Sequence, residues 1–379
     1  MTSNGKDSPV TDPISPANAA ETVTDTGLSS VDPIVISVDA MGGDLGPKAV
    51  IEAVARSARK NDRIAFILHG DEKKLKKYVK KARITDRCEI RGTEDVVRMD
   101  DKPSQVLRSG KNTSMWSTIE AVRNGEAKAA VSCGNTGALM AMSMIRLRKL
   151  PGIKRPAISC LWPSRNPQGS NVLLDVGADV RADAEDLMQY ALMGASYARN
   201  GLGLRRPRVG LLNVGSEDTK GHSELKEAHE LINQEADHAD INYIGFVEGN
   251  DFASSKVDVI VTDGFTGNIA LKTGEGTAMQ LAEYMREAFK HSLLSRLGAL
   301  FVLSSLKRLK KRMDPRRHNG GVFLGLNGTV VKSHGSSDAL GTSTAIKLAF
   351  TLAENRFDEK LAARVASVEA ARQDAKTDA

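Results

Sequence analysis

Residues 257–273 read VDVIVTDGFTGNIALKT. Val257 to Val261 is a β-branched run, Asp263, Gly264, Thr266 and Gly267 are turn formers, and from Gly267 the apolar residues recur at helical spacing as far as Phe289. Strand, Gly-rich turn and helix in that order form half of a β-α-β crossover. A near-continuous apolar strand of this kind is buried on both faces, which points to a mostly parallel sheet covered by helices.

The same pattern recurs outward in both directions. Further strands are expected at Ile34–Val38, Ile64–Leu68, Ala129–Cys133, Ala157–Leu161, Val172–Leu174, Val209–Leu212 and Ile241–Phe246. Helical patterns fall at Lys48–Lys60, Glu72–Arg83, Ser114–Asn124, Gly137–Leu147, Ala184–Asn200 and Ser223–Asn233. The class is therefore α/β, in three layers with helices on both faces. No fixed-period repeat or Pro-rich linker interrupts residues 34–350, which read as one catalytic domain. Residues 1–33 are rich in Ser, Thr, Pro, Asp and Ala and carry one Lys against five acids, a composition that reads as a disordered leader. Residues 351–379 read as a terminal helix and a polar tail.

The length of 379 residues suits one large or two ordinary domains. No window offers the roughly 18 uninterrupted apolar residues of a spanning helix, and the start lacks a signal-peptide layout, so a cytoplasmic protein is expected. Cys88, Cys133 and Cys160 form no CxxC pair, so neither a disulfide framework nor a zinc site is indicated. The net charge of +6 is local: residues 286–317 hold ten Lys/Arg against Glu287 and Asp314, and the remainder is slightly acidic.

Four strand ends lead into turns of Gly, Asn, Thr and Asp: Asp39 to Asp44, Cys133 to Gly137, Asn213 to Asp218 and Thr262 to Asn268. In an open α/β sheet the carboxyl ends of the strands line the ligand crevice, and helix amino termini there present free N–H groups. The four turns are expected along one edge, converging on phosphate or another small anion. Gly42-Gly43-Asp44-Leu45-Gly46 matches neither GxGxxG nor GxxxxGK[ST], so NAD and ATP are disfavoured and no cofactor is called for. His222, Glu224, His229 and Glu230 share a helical stretch, but the histidines are seven apart rather than four, so no metal site is assigned.

At these turns the sequence resembles the fatty acyl-ACP:phosphate acyltransferases of the PlsX type, which open bacterial phospholipid synthesis. The resemblance runs through ISVDAMGGD (36–44), CGNTGALMA (133–141), LLDVGAD (173–179), GLLNVGSEDTKG (210–221), GFVEGND (245–251), 257–273 and GLNGTVVKSHGSSDA (325–339), covering about 34–350 in family order. It implies transfer of a fatty acyl group from the thiol of acyl carrier protein to inorganic phosphate. It also implies a fold similar to isocitrate and isopropylmalate dehydrogenases and to phosphotransacetylases, and a homodimer. Cys133 stands where a small residue such as Ala is expected, and Asp179 where the family often has Asn.

Phosphate is itself the nucleophile in such a reaction and a thiolate leaves readily, so the protein must supply positioning and charge stabilisation. Backbone amides of Gly42, Gly43, Asn135, Thr136 and Gly137 are candidates for the anion cradle, bordered by Asp39, Asp44, Asp263, Gly264 and Thr266. Asn213, Ser216, Asn268 and Lys272 are candidates to hold the phosphate and thioester oxygens. Lys332, His334, Gly335 and Ser336 offer a cation, an imidazole and a hydroxyl where a helix opens. His334 could orient phosphate, protonate the leaving sulfur or merely cap that helix. Asp175 and Asp263 are expected to accept loop amides rather than hold a cation, and Cys133 to be packing.

Residues 284–318 read as a helical hairpin with a greasy tip, including Leu297, Leu300, Phe301 and Leu303, and a cationic flank, including Lys307, Lys310, Lys311 and Arg312. Such a hairpin suits an anionic membrane surface, a dimer interface or the acidic helices of acyl carrier protein. A membrane location would also bring the product to a membrane acyltransferase. A phosphotransacetylase using a coenzyme A thioester is the nearest alternative, a dehydrogenase the next. Nucleic-acid binding is disfavoured because the basic run lacks interleaved stacking residues.

Overall fold

The computed structural model describes residues 32–377, except 293, 296, 297, 299, 300, 306, 307 and 309–319. Its strands are β1 (Ile34–Asp39), β2 (Ile64–Gly70), β3 (Cys88–Gly92), β4 (Ala129–Ser132), β5 (Ala157–Pro163), β6 (Ser170–Leu174), β7 (Arg208–Leu212), β8 (Asn242–Val247), β9 (Val259–Val261), β10 (Gly321–Leu324) and β11 (Thr329–Lys332). They form one eleven-stranded sheet in the order β3-β2-β1-β4-β11-β10-β5-β6-β9-β7-β8. The helices are α1 (Gly46–Ala58), α2 (Glu72–Ala82), α3 (Pro103–Ser109), α4 (Ser114–Arg123), α5 (Thr136–Arg146), α6 (Ala184–Leu202), α7 (Ser223–Glu235), α8 (Gly264–Lys290), α9 (Ala339–Glu354) and α10 (Phe357–Thr377).

Successive strand residues point to opposite faces, and the apolar side chains divide accordingly. Val172, Leu174, Val259, Val261, Val322 and Val331 join a core with α1, α2, α6, α7, α9 and α10. Their neighbours Leu173, Ile260, Phe323 and Val330 join a second core with α3, α4 and α5, against which Ala270 and Leu271 of α8 also pack. The strands are apolar on both faces because both are covered. The terminal helix belongs to the first core, to which α10 contributes Phe357, Leu361, Val365 and Val368.

Strand direction departs from the sequence expectation. Among the described residues β1, β2, β3, β4 and β11 run parallel to one another, and so do β6, β7, β8 and β9. Between these groups, β11–β10, β10–β5 and β5–β6 are antiparallel. Three reversals leave the second group pointing opposite to the first. The turns after β1, β4 and β11 therefore sit at one edge of the sheet, whereas those after β6, β7 and β9 sit at the other. The expected single row of four turns is thus corrected to two clusters.

Candidate active site

The first cluster is organised around Asp39, the last residue of β1, whose side chain is buried. Ser114 Oγ donates to Oδ1 at 2.7 Å, Ser132 Oγ donates to Oδ2 at 2.7 Å, and the Met41 amide donates to Oδ1 at 3.3 Å. Burial pushes the carboxyl of Asp39 up, partly opposed by those bonds and one from the Gly42 amide. The carboxylate ties the end of β1, the start of α4 and the end of β4 into one knot. The loop above it is held close to its neighbours: a Cβ on Gly42 would come within 2.6 Å of Asp39 Oδ2, and Gly43 has φ +91° with Cys133 Cβ and Gly335 O directly beside it. The Asp44 amide donates to Gly335 O at 2.9 Å, joining this loop to the one after β11.

Asn135 caps α5, accepting the Ala138 amide at 3.0 Å, while its Nδ2 donates to the carbonyls of Met99 and Asp101 at 2.9 Å each. Its side chain is thereby committed to structure. The next two amides, Thr136 and Gly137, lie exposed in the first turn, where an α-helix offers no internal acceptor and its dipole favours an anion. Lys332, at the end of β11, donates to the carbonyl of Cys133 at 3.5 Å and to that of Ser333. Burial lowers its ammonium pKa to about 8, against the raising influence of Asp39 and Asp44. His334 is exposed, and its Nδ1 accepts the Ser336 amide at 3.3 Å and meets Ser336 Oγ at 2.9 Å, which assigns the neutral ring's proton to Nε2. The following helix, α9, is capped by Asp338 rather than by His334.

The second cluster joins the turns after β6 and β9. Asp175 accepts the amides of Ile158, Gly177, Ala178 and Asp179, and Asp263 caps α8 through the Thr266 amide at 2.9 Å and the Thr266 hydroxyl at 2.7 Å. Gly264 and Gly267 let α8 start against this loop: a Cβ on either would fall within 2.1 Å of the carbonyl oxygen of Asp179 or Asp175. Asn268 Nδ2 donates to Val176 O at 3.0 Å. Asp179 is neutralised by Arg155, 2.7 Å away, so its carboxylate is not an unpaired charge. Asn213 clamps its own loop, accepting the Val214 amide at 2.8 Å and donating to Lys220 O at 3.1 Å; Ser216 is exposed nearby. The structure therefore separates Asn213, Ser216, Asp263, Gly264, Thr266 and Asn268 from the Asp39 cluster.

Lys272 is the link between the two. Helix α8 leaves the second edge and runs back over the sheet, so that Gly274 meets the indole of Trp162 at the far end of β5. Lys272 lies one turn beyond Asn268, paired with Glu275 at 2.8 Å, and its charge helps to depress the Lys332 pKa.

Sequence reasoning missed Ser114 and Ser132, whose hydroxyls fix Asp39, and Glu275, which lies one turn past Lys272. The only signal was position: Ser114 opens a helix, and Ser132 precedes the Gly-rich turn. Cys133 is buried, its thiol pKa raised by burial. Among the described residues no group of three metal-binding side chains occurs, and His229 stacks on Phe246 and meets Tyr243 Oη at 2.9 Å. In the basic insertion Leu297, Leu300, Lys307, Lys310, Lys311 and Arg312 lie outside the described residues. Residues 301–305 are helical, with Phe301 88% and Leu303 41% exposed. No described helix is long and apolar enough to cross a membrane.

The fold is shared with phosphotransacetylases. A Streptococcus pyogenes phosphotransacetylase superposes with a TM-score of 0.57 at 17% identity, covering 85% of this chain and 94% of that one. The EutD phosphotransacetylase of Staphylococcus aureus gives 0.53 at 14% identity, with the same coverage. Residues 34–360 match the family described as "Fatty acid synthesis protein". Proteins named "Phosphate acyltransferase" are 67% identical in Paracoccus denitrificans and 66% in Ruegeria pomeroyi, over 90% of this chain and 93% and 92% of theirs. The chain belongs to the phosphate acyltransferase family.

Proposed function

We propose that the protein transfers a fatty acyl group from acyl carrier protein to inorganic phosphate, giving an acyl phosphate for phospholipid synthesis. The observation that carries this reading is the first-edge cluster. The exposed first-turn residues Thr136 and Gly137, the close-packed Gly42–Gly43 loop and the half-buried Lys332 stand at the same edge of the adjoining strands β1, β4 and β11, a grouping suited to an oxyanion. Identity of about two thirds with proteins named for acyl transfer to phosphate supports the same chemistry.

In this mechanism a phosphate oxygen attacks the thioester carbonyl, forming the C–O bond and a tetrahedral oxyanion; the C–S bond then breaks and the thiolate takes up a proton. Lys332, protonated below about pH 8, balances phosphate charge, and the amides of Thr136 and Gly137 hold an oxyanion. Nε2–H of His334 is assigned in this reading to orienting phosphate, and the attacking hydrogen phosphate itself brings the proton that the departing thiolate takes up. Lys272 on α8 adds a second positive charge whose influence reaches Lys332, whereas Asn268 holds the loop after β6 and is assigned no contact with phosphate. Asn213 holds the loop after β7, and neither it nor the exposed Ser216 is assigned a contact with phosphate.

The Phe301 region and its cationic flank serve an anionic membrane surface in this reading, with α8 supplying a homodimer contact. Phe265, Ile269, Met279 and Tyr284 on α8 are each more than half exposed, which favours a covering partner. The donor is tested by comparing palmitoyl-ACP with palmitoyl-CoA at equal concentration. A kcat/KM at least tenfold higher for the carrier-protein thioester supports the assignment; a preference for the coenzyme A thioester transfers it to a phosphotransacetylase-like reaction.

A further inference from the structure

A cleft of about 600 Å³ lies at the C-terminal ends of α6 and α9, where α10 crosses them. These helices cover the face opposite α4, α5 and α8, so the cleft is separate from the candidate active site. Its walls carry Arg199, Lys360 and Arg364 together with Ser196, Asn355 and Ser367, and among the described residues no carboxylate lines it. Asp240 stands behind, 3.7 Å from Arg199. Among the described residues the cleft thus carries three cations, with Asp240 behind them.

The two guanidinium groups are held in place by backbone carbonyls. Arg199 donates to Asp240 O at 2.8 Å and Arg205 O at 3.1 Å, and Arg364 donates to His238 O at 3.2 Å. Burial, and after it the like charge of Arg364, lowers the Arg199 pKa, with Asp240 opposing them. Fixed guanidinium groups of this kind suit phosphate oxygens, and the volume exceeds that of one phosphate ion. Among the described residues no aromatic side chain lines the walls to stack on a base, whereas hydroxyl and amide groups suit a hydroxylated body.

We infer that this cleft is a second ligand site, for the phosphate ester of a small polyhydroxy compound, formed by Arg199, Lys360 and Arg364. The probe is ribose 5-phosphate, with ribose as the uncharged control, titrated calorimetrically into the full chain. Saturable binding of the ester alone is expected. Lys360→Gln with Arg364→Gln should weaken it at least tenfold with an unchanged melting temperature, and the exposed Lys360→Gln alone should weaken it severalfold. Lys332→Ala should leave it intact. Absence of saturable binding, or binding lost in Lys332→Ala but kept in the double variant, would overturn the inference.

Discussion

Ser132 stands across from Asp39 in the β1–β4 ladder, and its hydroxyl joins two strand ends: it donates to Asp39 Oδ2 at 2.7 Å and accepts the Gly134 amide at 3.0 Å. The side chains at these two positions set the distance between the 39–44 loop and the start of α5. Asp39 accepts at both oxygens, so Asp39→Asn forces an amide N–H₂ against a donor. A loss of about 1–3 kcal/mol in urea unfolding is expected, with a larger loss of turnover than of stability. Ser132→Ala should cost about 1 kcal/mol.

Gly43 combines φ +91° with a neighbour, Cys133 Cβ, that an added methyl group would meet at 2.8 Å. Gly43→Ala is expected to raise KM for phosphate about tenfold or more by displacing the loop, with a stability cost of about 1–3 kcal/mol. Equal KM values for the two proteins would show that this loop does not border phosphate.

Lys332 loses its proton near pH 8, so kcat/KM for phosphate should decline above that pH. Lys332→Arg, cationic throughout, should abolish this basic limb, and Lys332→Ala should lower the rate at pH 7 by about 10²–10³. Glu275→Gln leaves Lys272 unbalanced and should move the limb to lower pH, by only a fraction of a unit because the pair is half exposed. A pH profile identical in all four proteins would remove Lys332 from the site.

His69 is buried between Ser37 Oγ, 2.8 Å from Nε2, and Ser117 Oγ, 2.7 Å from Nδ1, and burial lowers its pKa to about 3. The unfolded chain takes up this proton near pH 6.5, the folded chain only near 3, so stability falls as pH drops through that interval. The loss amounts to several kcal/mol at the lower end. His69→Asn should unfold with a shallower dependence on pH between 6 and 4; an unchanged slope would mean that other groups govern acid unfolding.

Deleting residues 297–303 should release the protein from anionic phosphatidylglycerol vesicles in a flotation assay while preserving turnover of soluble acyl carrier protein substrate. Retained flotation would assign the apolar tip to another partner.

The layer architecture was legible because Leu173 and Ile260 are as apolar as Leu174 and Val261 on the other face. The reversal of direction was not, since it rests on β10 and β11, two four-residue strands hidden among glycines. A signal did exist at β5 and β6. Only residues 164–169 separate them, too few for a parallel crossover, so their hairpin could have been read from the Pro- and Gly-containing turn. Strand β3 was missed because Cys88–Gly92 is short, partly exposed and carries Glu89 and Arg91. Within the site, Lys332, Thr136 and Gly137 were legible as types in a turn. The hydroxyls on Asp39 required knowing which strands are neighbours.

The most direct test of the central claim supplies palmitoyl-ACP with phosphate carrying ¹⁸O at all four oxygens and follows the products by mass spectrometry. Palmitoyl phosphate retaining all four labels, formed together with free carrier-protein thiol in equal amount, is the predicted result. Thiol release that yields unlabelled palmitate, or that proceeds equally well without phosphate, would contradict it.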